Sequence, residues 1–487
     1  MVRRATEGEE DGDPVSEPRD DRLAETRDRV PESGIAGYFK FEERRTDLAT
    51  EVKAGVTTFM VMAYILFLNP AILSNMFGAP GSPEALAIIP AMSAATALVA
   101  GLLTIAMGVV ANAPIAMAAG LGINALVAFG LVLTQGLTPA GAMGVIVLEG
   151  LIVTVLVLVG LREAIMRAVP LSLKRAIGVG IGLFILFIGF IDAGIIVKTG
   201  GTSAENPVPV TFVFPTEPAH FVFWFGLLIT VALWARKVPA ALLISILVTT
   251  VIAILVGIQK LPTSFVATPD FSTLGDFDLT NVFVVLGGLA AALTIFSFML
   301  TDFFDTMGTA TAISEQAGLV EEDGQPKNIG RILLVDSIGA AAGGAAGISS
   351  NTSYIESAAG VAEGGRTGLT SVVTGLLFLA AILLTPLAVL VPYVATGPVL
   401  VFVGFLMISL VRDIDFTDIE EGFPALLGLI LMPLTFSITV GIGAAFVAYV
   451  VVKIVRGKVG EVHPLMWVVA IAFMIYFMQN WLNNTVI

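Results

Sequence analysis

The chain is predicted to fold as an all-α integral membrane protein whose fourteen spans form two inverted halves of seven. Three observations predict this. First, 56% of the 487 residues are hydrophobic, only 13% are charged and the mean hydropathy is +0.93, far from a soluble domain with about one quarter charged residues. Second, apolar runs of spanning length recur from Ala54 to the C-terminus, each long enough for a hydrocarbon core about 30 Å thick. Third, landmarks of the first half return in order in the second, and an odd number of spans per half obliges the halves to lie in the membrane with opposite orientation.

The elements follow in chain order. The net charge of −14 is concentrated in the tail and loops, as in "EGEEDGDPVSEPRDD" (7–21) and "DIDFTDIEEG" (413–422), and residues 1–36 read as a disordered acidic cytoplasmic tail without a signal peptide. The first repeat, 37–258, holds apolar blocks at about 54–75, 87–111, 114–130, 140–160, 175–197, 220–235 and 238–258. The second, 259–455, holds blocks at about 282–313, 329–347, 354–365, 367–391, 397–411, 423–436 and 437–455. A fifteenth block, 464–483 within a C-terminal segment 456–487, is apolar but its crossing is not fixed. Arg44, Arg45 and Lys53, then Arg162, Arg167, Lys174 and Arg175, then Arg236 and Lys237, then Lys453, Arg456 and Lys458 all fall on one side when the N-terminus is cytoplasmic, as the positive-inside rule requires.

The repeat is read from Phe59-Met60 against Phe298-Met299, from "AAG" at 118–120 against "AAG" at 358–360, and from "VP" at 169–170 against "VP" at 391–392. Spans three and ten, "NAPIAMAAGLGINALVAFG" and "NTSYIESAAGVAEGGRTG", are both short, glycine-interrupted and preceded by polar residues. Broken segments at corresponding positions mark the substrate site of secondary transporters. Gly339, Gly343 and Gly347 at four-residue spacing predict close helix packing.

The chain has no cysteine and two histidines, His220 and His463, both at the edges of apolar runs. Disulfides and thiolate metal sites are excluded, no Ser/His/Asp arrangement is evident, and neither a metal, a cofactor nor an enzyme activity is expected. The chemistry lies in "TDFFDTMGTATAIS". Asp302 and Asp305 are three residues apart and share a helix face. Counting back from Glu315 at 1.5 Å per residue places Asp302 roughly 20 Å deep, where a carboxylate costs at least about 2.5 kcal/mol unless it meets a cavity, a partner or a proton. The alternative is a helix that surfaces early. "SYIE" (353–356) fits a capping box in which Glu356 bonds back to Ser353, and a helix beginning there would also turn its positive end to a substrate. Glu149, Glu163, Asp192 and Asp336 are equally readable as buried structural pairs, helix ends or pathway residues. "GVGIG" (178–182) lies inside an apolar run and is no dinucleotide loop.

Taken together, "TDFFDTMGT", "NTSYIESAAGVAEGGRTG", "GLGINA" and "EVKAGVTTFMVMAYILFLNP" resemble the nucleobase:cation symporter-2 family, in its AzgA-like hypoxanthine/guanine/adenine permease branch. The resemblance covers about residues 36–460. It implies a core domain (spans 1–4 and 8–11) and a gate domain (spans 5–7 and 12–14), half-helices three and ten preceded by short extended stretches, and a purine held between them against span eight. Asp302 and Glu356 would hydrogen-bond the base, with Asn124 on span three, Asp305, Thr352 and Ser353 beside it, and Asp302 or Glu356 would carry the coupling proton. Uracil and xanthine members carry glutamate at the span-eight position, and "AAGLG" stands where relatives often have a proline-containing stretch. Family habit suggests protons, with sodium as the alternative ion, and a homodimer. The competing readings are a sulfate- or bicarbonate-type anion transporter of the same fold, a uracil or xanthine permease, a passive channel, and a receptor.

Overall fold

The computed structural model describes residues 34–160, 168–199, 210–261, 268–321 and 325–486. The predicted tail lies outside them up to residue 33, as do Arg162, Glu163 and Arg167. Residues 34–36, assigned to that tail, instead begin a short helix, Gly34–Phe39, where Ala36 packs beside Phe39, Phe41 and Leu369.

The helices of the first half are α1 Leu48–Met62, α2 Ile65–Leu73, α3 Pro83–Ala106, α4 Leu121–Ala125, α5 Pro139–Leu158, α6 Leu171–Asp192, α7 Pro218–Ala235 and α8 Ala241–Leu255. Those of the second are α9 Leu279–Leu286, α10 Gly288–Ala317, α11 Ile329–Ala345, α12 Ser357–Ala362, α13 Gly368–Ala381, α14 Tyr393–Ile408, α15 Ile419–Thr435 and α16 Ile438–Val455, followed by α17 Pro464–Val486. The strands are β1 Met117–Ala119, β2 Ile196–Lys198, β3 Val210–Phe212 and β4 Asn351–Ser353. Nine helical stretches among the described residues are long and apolar enough to cross a membrane.

Punctuation follows local chemistry. Asp47, Ser82, Thr138 and Thr367 cap α1, α3, α5 and α13 with side-chain oxygens on the first backbone N–H groups, and Pro83 and Pro139 occupy first positions where no N–H is missed. The run predicted as one block at 282–313 is two helices. Gly287, at φ +76°, breaks it in a conformation that a side chain disfavours.

Packing repeats between the halves. α5 packs on α11 and, correspondingly, α3 packs on α13, while α6 packs on α14. A Cβ on Gly404 would stand 2.5 Å from the Gly182 carbonyl oxygen, and one on Gly182 would stand 2.9 Å from that of Gly404. These backbones touch, which glycine alone permits. Pro170 and Pro392 stand immediately before α6 and α14, so the two "VP" landmarks do hold equivalent places. The two "AAG" triplets do not. Ala118 and Ala119 lie in β1 whereas Ala358–Gly360 lie inside α12, because the strands, rather than the triplets, set the register of the two broken segments.

Gly339 and Gly343 make close approaches, but to a strand rather than a helix. A Cβ on Gly339 would lie 3.0 Å from the Asn351 carbonyl oxygen, and one on Gly343 would run into that of Ser349. Gly347, at φ +73°, belongs to the turn leading into β4. The helix-to-helix contact of α11 is made by Gly344 against Val147 and Ile146, with Gly150 of α5 seated on Ala341.

Candidate functional site

The site forms where two extended segments from opposite halves meet. β1 and β4 pair antiparallel with Met117 opposite Ser353, Ala118 opposite Thr352 and Ala119 opposite Asn351. All six residues are buried. Irregular backbone at membrane depth must have its N–H and C=O groups satisfied by protein, and the ladder is extended on both sides for that purpose. Gly120 N donates to Ser350 O (2.9 Å), Tyr354 N to Ala116 O (3.0 Å), and the Tyr354 hydroxyl to Ala119 O (2.5 Å). The Ser357 hydroxyl accepts from Ala116 N (2.9 Å), and Thr104 exchanges two bonds with Met117.

Short helices leave this ladder in each half. α4 begins after Gly120 and continues as wider π-type turns to Thr134, and α12 begins after Glu356. The capping box predicted for "SYIE" is not formed. Ser353 lies in β4, where its N–H and hydroxyl both donate to Asp336 Oδ1 (2.9 and 2.8 Å). Glu356 instead accepts from the Tyr64 hydroxyl at 2.5 Å. The competitor that wins is strand pairing, which draws Ser353 out of helical geometry.

α10 runs past this crossing as one continuous helix with Asp302 near its middle. Asp302 is enclosed by protein rather than standing in water. The two aspartates do not share an environment, however. Three residues leave them about 60° apart on a helix, and here that rotation seals Asp302 at 1% exposure while Asp305 is exposed. Asp302 contacts Ser350 and Glu149. Asp305 is exposed, Glu356 is half-buried, and their carboxyl groups lie within electrostatic reach of each other. Asn124 is fully buried with neither side-chain nitrogen nor oxygen engaged.

Thr352 and Ser353 come to the crossing with most of their hydrogen bonding spent. The Thr352 and Thr306 hydroxyls are 2.7 Å apart, and Thr306 also donates to Asp336 Oδ2 at 2.7 Å. Asp336 thereby anchors β4 to both α10 and α11. Sequence reading left it undecided; its isolation inside an apolar run was the available signal. Tyr64, at the break between α1 and α2, was missed, although a tyrosine in "MAYILFLNP" is a polar tip in a segment otherwise apolar. Asp192 closes α6, buried with neither carboxylate oxygen bonded, and is not among the residues of the crossing. No group of three or more potential metal ligands is found among the described residues. His220 and His463 serve at the starts of α7 and α17, where their Nδ1 atoms accept backbone N–H bonds.

Buried acids beside paired extended segments from the two halves are features that transporters also show. A sequence family described as the permease family matches residues 49–448. The chain belongs to that family. It is 39% identical over 451 residues to the guanine/hypoxanthine permease PbuG of Bacillus subtilis, covering 90% of this chain and 98% of that one. To the adenine permease AdeP of Escherichia coli it is 38% identical over 438 residues, covering 90% and 94%. In fold it is similar to the transmembrane domain of a cyanobacterium bicarbonate transporter, BicA, with a TM-score of 0.56 at 18% identity over 81% of this chain and 96% of that one. This permease is a multi-pass membrane protein and not an enzyme.

Proposed function

We propose that this permease is a secondary active transporter that imports purine nucleobases (hypoxanthine, guanine or adenine) across the plasma membrane by proton symport. The observation that carries the reading is the pairing of β1 with β4 beside a group of acids in which Asp302 is sealed, Glu356 is half-buried and Asp305 is exposed, with buried Asn124 just after β1. Purine N–H groups are donors, and carboxylates are their strongest side-chain acceptors. The relatives named for guanine/hypoxanthine and adenine transport support the same substrate class.

In this reading β1–α4 and β4–α12 are half-helices three and ten of a fourteen-span, seven-plus-seven repeat. α1–α5 with α10–α13 form the core domain, and α6–α8 with α14–α16 form the gate. The N-terminus and the Ala317 end of α10 are cytoplasmic, so exposed Asp305 lies on the inward side of Asp302. On the far side the Ser74 and Tyr393 hydroxyls, 3.0 Å apart, tie core to gate. Asp302 and Glu356 are the candidate proton carriers, Asp305, Asn124, Thr352 and Ser353 complete the site, and the working unit is a dimer.

The fold is also that of an anion transporter, but carboxylates around the crossing would repel an anion. The deciding experiment is uptake of radiolabelled hypoxanthine into proteoliposomes with and without an inward proton gradient, a sodium gradient serving as the second arm. Accumulation driven by protons and competed by adenine and guanine is expected. Bicarbonate or sulfate uptake with no purine uptake would overturn the reading.

A further inference from the structure

Glu149 has no part in the site so far described, yet its position is unusual. It sits in the middle of α5, fully buried, and neither carboxylate oxygen meets an N–H or hydroxyl donor. The space around it is closed. One residue on, Gly150 is pressed against the Ala341 backbone of α11, and Gly344 of α11 against Val147. The group within hydrogen-bond reach is the carboxyl of Asp302.

Two ionised carboxylates cannot hydrogen-bond to each other, since both only accept. At bonding distance in a medium without water they repel strongly, and one proton held between them removes the conflict. The surrounding charges reinforce this. Asp336 faces both members from α11, and Asp305 acts on Asp302 from its own helix, so among the described residues the charges bearing on the pair are negative. Asp336 is held by three donors, Thr306, Ser353 N and Ser353 Oγ, which favour its charged form. α9 brings Asp278 only to the N-terminal end of α5 at Gly144. Glu149 has no comparable compensation.

We propose that Glu149 and Asp302 share one proton and that Glu149 is a positioning residue for proton coupling, keeping Asp302 loaded until substrate arrives. The coupling part rests on the permease reading; the shared proton does not. No bond other than the carboxyl O–H is made or broken. The proton moves from the pair to water by way of exposed Asp305 when the Glu149–Asp302 contact parts, and another is taken up from the opposite side of the membrane.

The test has two arms. Infrared spectroscopy of the purified protein without substrate should show a protonated-carboxyl band at neutral pH that moves in deuterated water and is lost or displaced in both Glu149→Gln and Asp302→Asn. Absence of such a band in the wild-type protein would overturn the shared proton, and this arm does not require the variants to fold. In proteoliposomes, Glu149→Gln should lose gradient-driven accumulation, internal purine no longer exceeding external, and its hypoxanthine affinity should no longer change with pH. A Glu149→Gln variant with wild-type accumulation and pH profile would overturn the coupling role. If the wild-type protein moves no purine, the permease reading fails separately, and the infrared band still decides the proton.

Discussion

Tyr64 and Glu356 are 292 residues apart in sequence and 2.5 Å apart in space. The bond joins the break between α1 and α2 to the start of α12, and it fixes the direction of a carboxylate that is otherwise half open to the site.

Tyr64→Phe keeps the ring and removes the donor. Hydrogen bonds to charged groups contribute about 1.5–3 kcal/mol, so the KM for hypoxanthine is expected to rise by roughly one to two orders of magnitude, with the melting temperature close to wild type. Glu356→Gln retains an acceptor for Tyr64 but not the charge, and transport should fall further than in Tyr64→Phe. Equal uptake in both variants would mean that Glu356 does not meet substrate.

Glu51 is a second buried acid, with a different role. Its two oxygens accept from Thr46 Oγ1, the backbone N–H groups of Arg366, Thr367 and Thr370, and Thr370 Oγ1. It therefore ties the first turn of α1 to the first turn of α13. Glu51→Gln turns an NH₂ group toward donors and leaves at least one of them unpaired, a loss of about 1–3 kcal/mol. The expected result is a lower melting temperature in detergent with an unchanged KM in the protein that remains folded.

Gly343 and Gly330 lie on one helix and make a matched pair. A Cβ at Gly343 runs into the Ser349 carbonyl, whereas one at Gly330 meets nothing within 4 Å. Gly343→Ala should destabilise by about 1–3 kcal/mol through forced backbone movement and should also disturb β4 and hence transport. Gly330→Ala should stay within about 1 kcal/mol of wild type. Thermal unfolding followed by light scattering distinguishes the two.

Glu420 gathers Lys453 (2.7 Å), Lys458 (2.7 Å) and Arg456 (3.0 Å), and Lys453 also reaches Glu461 at 2.6 Å. This network joins the start of α15 to the end of α16 and to the turn before α17. Removing one member of a buried ionic network is worse than removing a solvated pair. Glu420→Ala should lower the melting temperature more than Glu43→Ala, which breaks the exposed contact with Lys40.

The apolar helices and the breaks in the two short segments were legible because both rest on local rules: hydropathy, glycine and proline punctuation, and polar residues where none belong. Asp302 was legible for the same reason. The capping box at "SYIE" failed because its local logic was overruled by a strand partner far away in the chain, which no local pattern reveals. Glu149 and Asp336 could not be ranked from sequence, since one is compensated by three donors and the other by none, and that difference exists only across helices. The separation of Asp302 from Asp305 likewise depends on which neighbours α10 has, not on its own spacing.

The β1–β4 ladder also constrains how the molecule is made. Ala119 waits for Tyr354, 235 residues later, and at about 5–20 residues per second that interval is roughly ten to fifty seconds of synthesis. Throughout it, Thr104 can already hold Met117, but the rest of β1 lacks its β4 partners in an apolar surrounding. The nascent first half is therefore the vulnerable species, dependent on the insertion machinery or on bound water until its counterpart emerges. A chain ending before Asn351 should be recognised and degraded rather than persist as half a transporter.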